Sequence, residues 1–120
     1  MIKKLIIAGG RDFKDTDLLH QAICELGNNN LLDPEAELVC GMAKGADMLG
    51  HDYFVACGNK IHKFVPDWDG LGKRAGFVRN ADMGDFCDGA LIFWDQKSKG
   101  TKHMIDYMVK LGKPHYVVHY

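Results

Sequence analysis

Several things are missing from this 120-residue chain, and each absence removes a class of function. There is no excess of charge: 15 Lys and Arg stand against 16 Asp and Glu, for a formal net charge of −1. Such a chain has no strong positive field, so nucleic acid is not an expected partner. There is no CxxC pair. The four cysteines, Cys24, Cys40, Cys57 and Cys87, are widely spaced and read as small reduced residues of a cytoplasmic protein, not as a zinc or disulfide framework. No apolar run reaches the length of a membrane span, so no membrane partner is expected. The opening MIKKLIIAGG is too short for a signal peptide and runs straight into a glycine turn, as a buried strand does. The six histidines lack metal-ligand spacing, and the His51–Asp52 pair lacks the partners of a metal phosphohydrolase; no metal site is expected. Neither a Walker A loop, a nucleophile elbow nor any cofactor motif is evident. Repeats, low-complexity tracts and linkers are also absent, which leaves a single domain over residues 1–120.

What is present is an alternation of short apolar runs with longer helical patterns. The strands expected are Lys4–Ala8, Glu37–Cys40, Lys60–Val65, Gly89–Trp94 and His115–His119. Between them, Leu18, Leu19, Ala22, Ile23 and Leu26 keep a helical period, as do Ala46, Leu49, Tyr53 and Ala56. In the third helical segment Phe77, Val78 and Ala81 are expected to face inward, with Arg74 and Arg79 toward solvent. Thr101, Met104, Ile105, Met108 and Leu111 make the clearest stripe, closed by Gly112 and Pro114. Strand and helix alternating in this way imply an α/β fold: a Rossmann-like, doubly wound, five-stranded and mainly parallel sheet of order 3-2-1-4-5, with helices on both faces.

In that order the chain reverses direction between the first and fourth strands, and ligands bind at the carboxyl ends of strands beside such a switch point. The loops that fall there are rich in glycine and charge. After the first strand comes GGRDF. Gly9 and Gly10 would keep the crevice floor open, and Arg11 would reach a phosphate. Asp12 would orient Arg11 or cap the helix beginning near Asp15, with Phe13 packed beneath. After the second strand comes GMAKGAD, in which Gly41, Met42, Ala43, Lys44, Gly45 and Ala46 present amides and a cation near a helix start. The same loop reads equally as a plain strand–helix turn. Asp47, in that helix's first turn, would repel a phosphate, so it is read as a ribose hydroxyl acceptor or a structural cap. After the fourth strand, Trp94 and Asp95 lead to Ser98, Lys99, Gly100 and Thr101, which combine hydroxyls, a cation and an unhindered amide at a helix start. An ordinary N-cap has the same composition. Trp68 lies in a loop where it could stack on a base, followed by Arg74 and Arg79 as phosphate forks; a packed Trp and a solvated helix face are the alternative.

Taken in order, GGRDF, GMAKGAD, the loop Trp, AGFVRNADM, ALIFWD and SKGT resemble the YspA-type branch of the SLOG superfamily, from Lys4 to about Val118. That grouping of Rossmann-like proteins also holds the LOG enzymes and the DNA-processing protein DprA. The resemblance implies a nucleotide or nucleotide-derived ligand in the crevice, bound by Gly41 to Asp47, by Arg79 and Asn80, and by Ser98 to Thr101. LOG enzymes cleave the bond between a base and ribose 5′-phosphate with the motif PGGxGTxxE, whose glutamate takes part in catalysis. Here Met104 occupies the position of that glutamate, and a thioether cannot serve as acid or base. Hydrolysis would need a carboxylate from Asp12, Asp47 or Asp95, with Arg79 beside it.

Three functions follow as expectations: a nucleotide-ligand binding domain acting as sensor or accessory protein, a nucleotide hydrolase, and DNA binding by analogy with DprA. The last is opposed by the near-neutral charge. A homodimer through Phe86, Tyr107 or the Tyr116–Tyr120 edge is left open.

Overall fold

A computed structural model describes all 120 residues. The elements run β1 (Ile2–Gly9), α1 (Thr16–Asn28), β2 (Leu32–Cys40), α2 (Ala46–Ala56), β3 (Ile61–Lys63), α3 (Trp68–Leu71), a 3-10 turn (Gly72–Arg74), α4 (Ala75–Phe86), β4 (Gly89–Trp94), α5 (Lys99–Leu111) and β5 (His115–His119). All strands are parallel and lie in the order β3-β2-β1-β4-β5, the doubly wound arrangement expected from the alternation.

The central strands explain the layering. Alternate residues of a strand point to opposite faces. Leu5 and Ile7 of β1, with Leu91 and Phe93 of β4, therefore join Leu19, Ala22, Ile23 and Leu26 of α1 and Phe54 of α2 in one core. Ile6 and Ala8, with Ala90 and Ile92, meet Met83 of α4 and Met104 and Met108 of α5 in the other. Continuous apolar runs such as LIIA and ALIF belong to strands covered on both sides.

Helix ends are fixed by local chemistry. The Asp15 carboxylate accepts the Leu18 amide at 3.0 Å and starts α1. Gly112 closes α5 at φ 67°, a left-handed conformation that glycine adopts without penalty. The Lys113 ammonium then donates to the carbonyls of Gly84, Asp85 and Cys87 at 2.8, 3.1 and 2.9 Å, satisfying the C-terminal end of α4.

Four local expectations change. β2 begins at Leu32, but it pairs with β1 at Ile2↔Leu32 and then only from Lys4↔Glu37, so Pro34 sits where the ladder is irregular. β3 is limited to Ile61–Lys63. On α2 the buried line is Ala46, Asp47, Gly50 and Phe54, because Gly50 brings the helix down onto Ile7; Leu49 and Tyr53 flank it. On α4 the inward face is Ala75, Asn80, Met83 and Gly84, leaving Phe77 45% and Val78 38% exposed and turning Arg79 inward. The cause lies in α5: a Cβ at Gly84 would fall 2.6 Å from the Tyr107 ring, so the two helices meet along the glycine face and not along the larger apolar residues.

Candidate functional site

The crevice opens at the carboxyl ends of β1 and β4, with a volume of about 240 Å³. Ala8, Met83 and Met104, all buried, close it from below. Gly9, Arg11, Ala43 and Asp47 form one wall; Asn80, Ser98, Gly100 and Thr101 form another. Trp68, Lys73, Gly76 and Phe77 make the rim. Trp68 is 50% exposed, and Phe77 packs its ring on His103 with centroids 4.5 Å apart.

Arg79 and Asn80 tie the walls together. The Arg79 Nη1 donates to the Gly41 carbonyl, and its Nε donates to Asn80 Oδ1 at 3.1 Å. Asn80 Nδ2 in turn donates to the Gly100 carbonyl at 3.1 Å. One chain of hydrogen bonds thus runs from the GMAKGAD loop through α4 to the first turn of α5. Gly41 is required for it, since a Cβ there would lie 2.7 Å from the Asp47 carboxylate and 2.8 Å from the Arg79 guanidinium.

Asp47 is 4% exposed, and its Oδ2 accepts the Ala43 amide at 3.3 Å. Burial pushes its carboxyl up to about 6, against the pull of Arg79, the Ala43 and Gly9 amides and Arg11. Burial likewise lowers the Arg79 guanidinium, which Asp47 partly restores. The two are electrostatic neighbours without a direct ion pair. A buried carboxyl raised to about 6 can bind a hydroxyl in either protonation state and can move a proton.

The SKGT turn is built as an N-cap. Ser98 Oγ accepts from the Thr101 amide at 3.4 Å and the Thr101 hydroxyl at 3.0 Å. The Asp95 carboxylate accepts the Lys97 and Ser98 amides, both at 2.8 Å, which holds it below the usual carboxylate range. Asp95 therefore shapes the loop and stands outside the crevice lining, as do Trp94, whose indole donates to the Ser98 carbonyl at 3.1 Å, and the exposed Lys99.

Other residues singled out in the sequence are placed as follows. Gly10 and Asp12 point away from the crevice: Tyr120 donates its hydroxyl to Asp12 Oδ1 at 2.5 Å and fills the space a Gly10 side chain would need. Asp12 thus neither pairs with Arg11 nor caps α1, the cap being Asp15. Phe13 is buried beneath, stacked on Phe93 at 4.4 Å. The Gly9 position is filled by Phe93 backbone and the Ala46 methyl, so this glycine serves close packing of β1 on β4 and α2. Met42 (φ 61°), Gly45 (φ 84°), Ala46 and the exposed Lys44 shape the second loop but stand outside the crevice lining. Arg74 is also exposed and outside, its expected place taken by Lys73 one residue earlier. Sequence reasoning missed Gly76 and Phe77 at the rim and Ala8 and Met83 at the base, and assigned the rim cation to Arg74 and not to its neighbour Lys73. The glycine face of α4 was the signal that could have oriented them.

A family model for YspA, cpYpsA-related SLOG proteins matches residues 3–70, more than half of the chain. The chain belongs to the YspA, cpYpsA-related SLOG family. The matched part of this SLOG domain carries GGRDF, GMAKGAD and Trp68; the wall built by Arg79, Asn80 and Ser98–Thr101 lies beyond it. Among solved structures, DNA processing protein A (DprA) from Streptococcus pneumoniae is similar, with a TM-score of 0.73 and 18% identity over 96% of this chain and 49% of that one. At that identity the likeness is one of fold, and the SLOG domain spans about half the length of the DprA chain. No curated protein matches. No helix is long and apolar enough to cross a membrane.

Proposed function

We propose that the crevice binds a nucleotide or nucleotide-derived ligand, as the recognition element of a sensor or accessory protein. The observation that carries this reading is the placing of Arg11, Lys73 and Arg79, together with the exposed Trp68 and Phe77, around one opening. Cations and the unhindered amide end of α5 suit a phosphate, and the two aromatic rings suit a base. The buried Asp47 suits a ribose hydroxyl. Membership of the SLOG family supports a nucleotide-related role. Thermal-shift titration with nucleoside phosphates, NAD and ADP-ribose tests it. A ligand at about a hundredfold excess over its Kd stabilises the protein by about 2.7 kcal/mol. No shift with any of them at millimolar concentration would refute the reading.

A second reading, hydrolysis of an N-glycosidic or phosphate-ester bond, is favoured by one observation: Asp47 is buried in the crevice wall, with its carboxyl raised to about 6. Met104, buried at the base where LOG enzymes have their glutamate, supplies no proton, so Asp47 is the carboxyl that would act. Incubation with nucleoside monophosphates, followed by chromatography for free base, ribose phosphate and inorganic phosphate, decides it; an empty chromatogram ends this reading.

A further inference from the structure

Away from the crevice, α1 and α2 bring together three side chains that no part of the functional reading uses. His20 and Cys24 are four residues apart on α1, so they share one face of the helix. The Cys24 sulfur lies 3.5 Å from His20 Nε2, and His20 Nδ1 lies 2.8 Å from the Tyr53 hydroxyl on α2. Cys24 is half-buried and His20 exposed. This is the order nucleophile, base, orienting group, in which each member is within reach of the next.

We propose that Cys24 is a reactive thiol, activated by His20 and oriented through Tyr53, whose reactant is a hydroperoxide. With its ring proton on Nδ1 and directed at the Tyr53 oxygen, the imidazole offers Nε2 to the thiol. The thiol proton passes to Nε2. The sulfur then attacks the outer peroxide oxygen, an S–O bond forms and the O–O bond breaks. The departing hydroxide or alkoxide takes the proton back from the imidazolium. Sulfur is oxidised to a sulfenic acid and the peroxide is reduced to water or alcohol. Tyr53, whose hydroxyl meets both the imidazole and the Cys24 thiol, is a positioning residue.

Cys57 provides a reference within the same molecule: it is more exposed than Cys24 and no histidine hydrogen-bonds it. If exposure governed reactivity, Cys57 would react faster; if the neighbouring base governs it, Cys24 will. The experiment treats the full chain with hydrogen peroxide, traps sulfenic acid with a dimedone probe and measures labelling of each cysteine by mass spectrometry. Iodoacetamide gives a second rate. At pH 7, Cys24 is expected to react about 10-fold faster than Cys57. His20→Ala, on the exposed face of α1, removes that advantage while leaving the Cys57 rate unchanged, and Tyr53→Phe reduces it by about threefold. Near pH 10 the wild type and His20→Ala converge in the iodoacetamide rate, because the thiolate then forms without a base. Equal rates at the two cysteines at pH 7, or a His20→Ala protein whose Cys24 reacts as before, overturn the proposal.

Discussion

At the amino ends of the strands several polar groups are engaged. Lys113 gives its ammonium to three carbonyls, Asp88 Oδ2 accepts the Lys3 and Lys4 amides at 3.2 and 3.0 Å, and the Lys4 ammonium sits 4.4 Å above the Phe86 ring. At the carboxyl ends the pattern reverses. Arg11 and Lys73 face the crevice with no hydrogen bond or ion pair of their own, and burial raises the Asp47 carboxyl to about 6. Met42 and Gln96 hold φ of 61° and 66° in the two loops that flank the opening; at the amino ends Asn30 holds φ 58°, a conformation asparagine tolerates better than most residues. Free cations and a raised carboxyl at one end, against the paired groups at the other, are the contrast on which the proposed ligand site rests.

The largest expected effect is at the stability end. Lys113→Met removes three charge-assisted bonds to the C-terminal end of α4 and is expected to lower unfolding free energy by about 3 kcal/mol, read by chemical denaturation. Ligand affinity should not change; a loss there would mean that the two ends are coupled.

Next is Asp47. The folded protein holds its proton up to about pH 6, whereas an ordinary aspartate releases it near 3.8. Folding takes up a proton between those values, so this contribution to stability is complete below the ordinary carboxylate range and is lost as pH rises through about 6. From about pH 4 to about pH 7 the wild type should lose on the order of 2–3 kcal/mol that Asp47→Asn does not, as denaturation at a series of pH values will show. Parallel curves would place the strain elsewhere.

Arg11→Ala should weaken ligand binding about 10-fold, ~1.4 kcal/mol, while moving the unfolding midpoint by less than ~0.5 kcal/mol. Isothermal titration with whichever nucleotide shifts the melting curve separates this from a turn-holding role, in which stability would fall instead. The smallest effect is at Tyr120→Phe, which removes the bond to Asp12 behind the same loop. It is expected to cost about 1 kcal/mol of stability with little change in affinity.

The sheet order was legible because its causes are local: apolar runs such as LIIA and ALIF, spaced by helical stripes, admit few other arrangements. The crevice followed from that order, and Gly9, Arg11, Asp47, Asn80 and Thr101 do line one opening. What stayed hidden depends on contacts between distant segments. Which face of α4 turns inward is decided by Gly84 against Tyr107, so hydrophobicity alone put Phe77 inside and Arg79 outside. Asp12 looked like a partner for its neighbour Arg11, yet its hydroxyl donor is 108 positions away. Lys73 and Arg74 are chemically alike, and only the 3-10 turn, with Gly72 at φ 59°, selects which one meets the opening.

The bridge from Gly41 through Arg79 and Asn80 to Gly100 also bears on the order of assembly. Residues 2–63 contain β1, α1, β2, α2 and β3, a run of neighbours that can pair with short loop closures. β4 must then find β1 across more than 80 positions, Leu5 against Gly89, a slow step for a parallel sheet. The crevice is made of parts from both halves, so it is expected to be among the last features to form. Ligand present during refolding should consequently leave the early steps untouched and act only on the finished molecule, slowing its unfolding.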